Sequence, residues 1–227
     1  MSNTGITRVA VIIAAITTSS LLGSRASVPL AIAIALLVVE QVLLGGKWSG
    51  LLGAWFDWRS PTYRERVIQH EAGHLTAACV LGIPVVDYVL DPIQAFRRGY
   101  PEYGGIQLDR DPITQWQQDG KISKEELDRY GTFWMAGGAA EYLYSAQVKG
   151  DRSDQQQVVQ LLSLLRSPSG QTPDPAVNIS RYRRQAKDLL DAHPTALATA
   201  VDCLGAQQPL QTCLDSIQAH ISSSEDP

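Results

Sequence analysis

Between residues 60 and 82 the chain reads SPTYRERVIQHEAGHLTAACVLG. This stretch has one simple local solution. Ser60 is a natural N-cap, Pro61 suits the first helical position and Gly82 offers a left-handed stop. No proline interrupts the interval, so it predicts a helix over 61–81. Side chains four residues apart on a helix share a face, and two of the chain's four histidines, His70 and His74, are so spaced. Two imidazoles placed this way can take two corners of a tetrahedral zinc site. Glu71, beside the first, can reach a water without being a ligand itself. With histidine this scarce, chance is a poor account of H-E-x-x-H. Ala72 and Gly73 leave room for a second element to close over the helix, as a buried site requires.

A zinc site needs a third protein ligand. The metzincin continuation is excluded, because Ala77 and Val80 stand where it needs Gly and His. His193 precedes Pro194 at a helix boundary and His220 lies in a polar stretch, which suits the surface for both. Cys79, five residues past His74, reads as a small apolar filler rather than a ligand. A carboxylate is left as the third donor, and spacing alone does not choose among the candidates.

The rest of the chain is unevenly built. Residues 1–60 carry a net charge of +2 and the remainder −6. An acidic soluble part argues against nucleic acid as a partner, since phosphate binding needs clustered Lys and Arg. The one dense basic group, Arg181, Arg183 and Arg184, reads as a solvated helix face. Cys79, Cys203 and Cys213 show no CxxC spacing, which suggests a reducing compartment. A Cys203–Cys213 bridge stays open, with two buried free thiols the simpler reading.

Two apolar runs, 6–23 and 28–45, are each 18 residues long. As helices they would measure about 27 Å, the thickness of a hydrocarbon core. With the short polar SRAS between them they predict a transmembrane hairpin over 1–47, followed by Trp48, Trp55, Phe56 and Trp58 as an interfacial belt. A cleaved signal peptide ending at Ala26, or two helices of a soluble core, are the competing readings. The positive-inside rule places both ends of the hairpin in the cytoplasm, with the soluble part there too. The expected organisation is therefore a membrane hairpin (1–47), a linker (48–60), a soluble domain (61–221) and a tail (222–227). That domain reads as mainly α with a small β element. Helices are expected near 61–81, 123–147 (Ser123 and Glu126 forming a capping box), 154–166, 178–192 and 195–221, the last interrupted near 205–209. VVDYVL and GGIQL are expected as short strands paired in a small sheet.

VIQHEAGHLTAACVLG resembles the active-site helix of the FtsH family of membrane-bound, ATP-dependent zinc proteases. The likeness continues in order. FWMAGGAAEYLY (133–144) resembles that family's glycine-glycine, alanine-glutamate helix, and GDRSDQQQVVQLL (150–162) the segment whose aspartate ligand opens the next helix. YGGIQLD (103–109) resembles the strand beside the active site, and RYRRQAKDLLDAHPTALATAVDCL (181–204) the C-terminal helical pair. The resemblance covers about 65–220 and implies an FtsH-protease-like zinc metallopeptidase domain. By it His70, His74 and Asp154 hold zinc, and Glu71 takes a proton from water and passes it to the leaving amine. The edge of the strand at 104–108 would receive an extended protein or peptide substrate. Asp154 follows Ser153, a potential N-cap, and a helix N-terminus favours the ionised carboxylate that a metal needs; a plain first-turn acid fits that position as well. Gly137, Gly138 and Ala139 read as tight helix packing, and Glu141 as either an orienting partner of the histidine helix or a surface acid. The family's ATPase module is missing from these residues, and no G-x-x-x-x-G-K-[ST] P-loop occurs. The expected activity is thus a membrane-anchored endopeptidase acting on unfolded or flexible segments without its own ATPase, with an AAA ATPase or FtsH-type partner and a homo-oligomer both left open. A catalytically idle scaffold or regulator that binds membrane proteins or FtsH-type partners is the rival. An intramembrane protease would carry its motif inside an apolar span, whereas TYRERVIQ precedes this one.

Overall fold

Ser60 adopts an extended backbone, Pro61 opens the helix, and Gly82 closes it in the left-handed region at φ 64°, its N–H donating to the Ala78 carbonyl. The helix predicted over 61–81 is therefore formed; Ser60 holds the N-cap position, but its side chain makes no capping hydrogen bond. The fold is that of a computed structural model describing residues 47–100, 104–165 and 173–225. In chain order the elements are α1 (Lys47–Trp58), α2 (Pro61–Leu81), β1 (Val85–Val89), α3 (Pro92–Arg97), β2 (Gly105–Leu108), α4 (Asp111–Asp119), α5 (Lys124–Ser145), α6 (Arg152–Leu164), α7 (Pro175–Ala192), α8 (Pro194–Gly205) and α9 (Leu210–Glu225). The chain divides into two compact units, 1–56 and 57–227.

The second unit is built on α2 and α5. Both are buried over most of their length, α2 from His70 to Ala78 and α5 from Leu127 to Glu141. They cross where side chains are smallest. A Cβ on Gly73 would stand 2.4 Å from the Ala136 carbonyl oxygen and 2.6 Å from the Ala140 methyl, so only glycine permits this approach. α7 lies along the other side of α5, where the Tyr182 ring covers Gly131. α8 and α9 pack on α2, and their residues Leu197, Ala200, Leu204 and Ile217 complete one apolar core with Leu75, Phe133 and Leu190. Cys203 and Cys213 sit in this core as free thiols, and Cys79 is half-buried against it. Burial pushes the Cys79 thiol up to about 11, and burial together with the neighbouring Cys203 pushes Cys213 up to about 12.

The two expected strands pair antiparallel, with Val85 opposite Leu108 and Tyr88 opposite Ile106 and an irregularity between Val85 and Asp87. The expected break near 205–209 separates α8 from α9, and the Ser123 hydroxyl accepts the Glu126 N–H as the capping signal implied. Three helices, α1, α3 and α4, were not among those expected.

The two-helix transmembrane hairpin and the integral-membrane localisation are corrected. Among the described residues no helix is long and apolar enough to cross a membrane. α1 has 12 residues, and at about 1.5 Å per residue it is too short for a hydrocarbon core. α2 and α5, with 21 and 22 residues, have the length but carry Arg64, Glu65, Arg66, Glu125 and Asp128. The runs 6–23 and 28–45 lie outside the described residues. The stretch read as a linker is helical as far as Trp58, and Trp58, assigned to an interfacial belt, packs partly buried against the core.

Candidate metal centre

His70 and His74 leave α2 on one face, four residues apart, and their Nε2 atoms lie 3.1 Å from each other. Asp154 meets them from α6. Its Oδ2 stands 3.1 Å from His70 Nε2 and 3.5 Å from His74 Nε2. All three residues are buried. The carboxylate thus arrives from a second helix 80 positions further along the chain, where spacing could not find it. α6 begins two residues earlier than expected. Asp151, not Ser153, occupies the N-cap position, and Asp154 falls in the first turn.

What the outer nitrogens do decides what the inner ones can do. His74 Nδ1 lies 2.9 Å from the Phe133 carbonyl oxygen, which can only accept, so Nδ1 carries the proton and donates. His70 Nδ1 lies 2.7 Å from Glu141 Oε1 and donates in the same way. With both neutral imidazoles protonated at Nδ1, both Nε2 atoms present lone pairs inward. They face each other and a carboxylate oxygen, Asp154 Oδ2, that is buried without a hydrogen-bond partner among the described residues. Three lone-pair donors converging on one point without a shared proton is an arrangement that a cation resolves. His70, His74 and Asp154 form a group that can hold a metal ion. The site is made possible by Gly137 on α5, where a Cβ would stand 2.4 Å from His70 Nε2 and 2.5 Å from His74 Nε2.

The electrostatics agree. Burial opposes charge on His70, yet the Asp154 and Glu141 carboxylates outweigh it and hold its pKa well above the ordinary value. Burial likewise opposes an ionised Asp154, but His74 and His70 hold its carboxyl well below the usual carboxylate range. Glu141, buried and also accepting the Lys149 N–H at 2.9 Å, is lowered too, against the effect of burial. The cluster calls for positive charge, which a proton or a metal can supply.

A pH dependence follows. The folded pKa of His70 lies above its unfolded value of about 6.5, so its protonation stabilises the metal-free fold fully below that pH and is lost as pH rises through the folded value. Asp154 and Glu141 are ionised throughout this range and add no slope. A metal needs the imidazole neutral, so its own stabilisation grows with pH. We expect chelator-treated protein to lose Tm as pH rises above about 6.5, and a divalent metal to raise Tm more as pH rises. Thermal scans with and without metal check both signs, and a metal-free Tm that rises with pH above about 6.5 would contradict the assignment.

Glu71 leaves α2 toward β2. Its Oε2 accepts the Ile106 N–H at 2.8 Å. Gly105, at φ +116°, brings the strand so close that a Cβ would stand 3.2 Å from both carboxylate oxygens. The other sequence candidates separate from the site. His193 caps the α7–α8 junction and His220 is exposed on α9. Of the basic trio, Arg181 pairs with Asp128 and Arg183 with Asp151, while Arg184 is exposed. Glu141 is settled as an orienting partner of His70 rather than a surface acid. The Phe133 carbonyl that fixes His74 carries no sequence signal, because any residue offers a carbonyl. Compared with protein-family models and with curated proteins, the chain matches none.

Proposed function

We propose that the chain is a zinc metalloendopeptidase acting on unfolded or flexible protein segments. The convergence of His70 Nε2, His74 Nε2 and the orphaned Asp154 Oδ2 carries this reading. Two imidazole nitrogens and one carboxylate oxygen are a donor set that suits zinc, and three protein ligands leave a position open as catalytic zinc sites do. When bound there, zinc would supply a Lewis acid for a peptide carbonyl and for water.

The remaining chemistry belongs to the chain. Glu71 stands next to the first ligand but coordinates nothing within the His70–His74–Asp154 group, which leaves its carboxylate for proton transfer. The Ile106 N–H holds Oε2, so Oε1, which accepts no hydrogen bond among the described residues, is the oxygen to take a proton from the attacking water and return it to the leaving nitrogen. β2 runs directly beside Glu71, and an extended segment laid along that strand would have its scissile bond near both Glu71 and the ligands. Such pairing needs a substrate whose backbone is not already spent in its own structure, hence unfolded or flexible segments.

The test is zinc content and cleavage of unfolded casein by the full chain. About one zinc per chain is expected, with cleavage lost on chelation and restored by zinc. Zinc without cleavage would favour the idle-scaffold alternative, and a chain that takes up no zinc would overturn the reading.

A further inference from the structure

One short turn touches both halves of the metal site. At its start, the Lys149 N–H donates to Glu141 Oε2 at 2.9 Å, and Glu141 Oε1 holds His70 Nδ1. Gly150 follows so closely against Glu141 that a Cβ there would stand 2.6 Å from Oε1 and 3.4 Å from His70 Nδ1. Asp151 then opens α6, whose first turn delivers Asp154. The Asp151 side chain does not cap that helix. It turns to α5 and α7 instead. Against α5, a Cβ on Gly138 would stand 3.0 Å from Asp151 Cβ and 3.2 Å from Oδ2. Toward α7, Oδ2 accepts Arg183 Nη2 at 2.7 Å.

This ion pair differs from a solvated one in two respects. The Asp151 side chain is only 14% exposed. Arg183 Nε is buried without a hydrogen-bond partner among the described residues, so the guanidinium holds its place at the expense of one of its own donors. A side chain placed by its own solvation would keep that N–H in water.

We propose that Arg183 is a positioning residue for the metal centre. Through Asp151 it fixes where α6 starts on α5, and so where Asp154 Oδ2 stands relative to the two imidazoles. This rests on reading His70, His74 and Asp154 as the ligands. Groups that orient metal ligands from outside typically govern affinity by about 10–100-fold, whereas a plain surface pair governs nothing of the kind.

The experiment compares the full-length parent with Arg183→Ala, Arg183→Lys and Arg184→Ala. Zinc affinity is read by competition with a chromogenic chelator, coordination by the visible bands of the cobalt-loaded protein, and the fold by melting of the metal-free form. Arg183→Ala is expected to weaken zinc about 10–100-fold and alter the cobalt bands while its metal-free melting stays close to the parent's. Arg183→Lys should recover part of the affinity, and Arg184→Ala should match the parent. Should Arg183→Ala fail to fold, Asp151→Asn keeps the shape, removes the charge and carries the same expectation. Parental affinity and spectrum in Arg183→Ala, or a loss shared by Arg184→Ala, would overturn the proposal. A parent that binds neither ion would overturn the ligand assignment beneath it, and is distinguished because all the chains would then behave alike.

Discussion

The Glu71→Gln chain is expected to bind zinc as tightly as the parent and to cleave unfolded polypeptide about 10²–10⁴-fold more slowly, the usual contribution of a positioned proton-transfer group. Nothing that holds the ligands depends on Glu71. His70 is fixed by Glu141, His74 by the Phe133 carbonyl, and Asp154 by the start of α6. The substitution keeps size and keeps an oxygen that can accept the Ile106 N–H, so β2 should stay where it is. What the amide lacks is a basic oxygen. Zinc content and turnover measured on one preparation separate the two effects. Undiminished turnover would remove Glu71 from the mechanism, and loss of zinc would make it part of the ligand scaffold instead.

Gly137→Ala should abolish stoichiometric metal binding and destabilise the fold. The added methyl would enter the space of both imidazoles, at 2.4 Å from His70 Nε2 and 2.5 Å from His74 Nε2. The crossing has no slack to absorb it, because α5 already lies so close that a Cβ on Gly73 of α2 would stand 2.4 Å from the Ala136 carbonyl oxygen. The imidazoles must therefore rotate, which gives up their Nδ1 hydrogen bonds, or the helices must part. Overpacking of a tight core costs about 1–3 kcal/mol, to which the broken buried hydrogen bonds add. Gly138→Ala is the internal comparison. Its closest contact would be 3.0 Å from Asp151 Cβ, so it should weaken the metal site without eliminating it. Metal content and denaturant midpoints of the two variants check the order. Full zinc occupancy in Gly137→Ala would mean the imidazoles reach the ion from another direction.

Local signals carried much of the fold. α2 was legible because Ser60, Pro61 and Gly82 punctuate it, and the sheet because VVDYVL and GGIQL are short runs rich in strand-forming residues. Three of the misses share one cause. α3, α4 and the first turn of α7 each begin at an Asp-Pro pair, 91–92, 111–112 and 174–175. At α3 and α7 the aspartate side chain accepts N–H groups of the first turn, from Ile93 and Gln94 in one and from Ala176 in the other. At α4 the same service comes from Asp109, which accepts the Asp111 N–H. At α3 and α7 this is the rule already applied at Ser60–Pro61. At the site, the two histidines and Glu71 follow from helical spacing. Asp154 does not, since it meets them only through tertiary packing. The hydrogen bonds that fix the tautomers involve a main-chain carbonyl and a glutamate from another helix, so they become visible only once α5 lies on α2.

The thiols of the core give the chain a built-in reporter. Cys203 and Cys213 are buried, and Cys213 is held far from its thiolate form at neutral pH. An alkylating reagent attacks the thiolate and must reach it, so modification of these two residues proceeds only when α8 and α9 part. The rate at which a maleimide reaches them therefore counts openings of that corner, without any label being introduced.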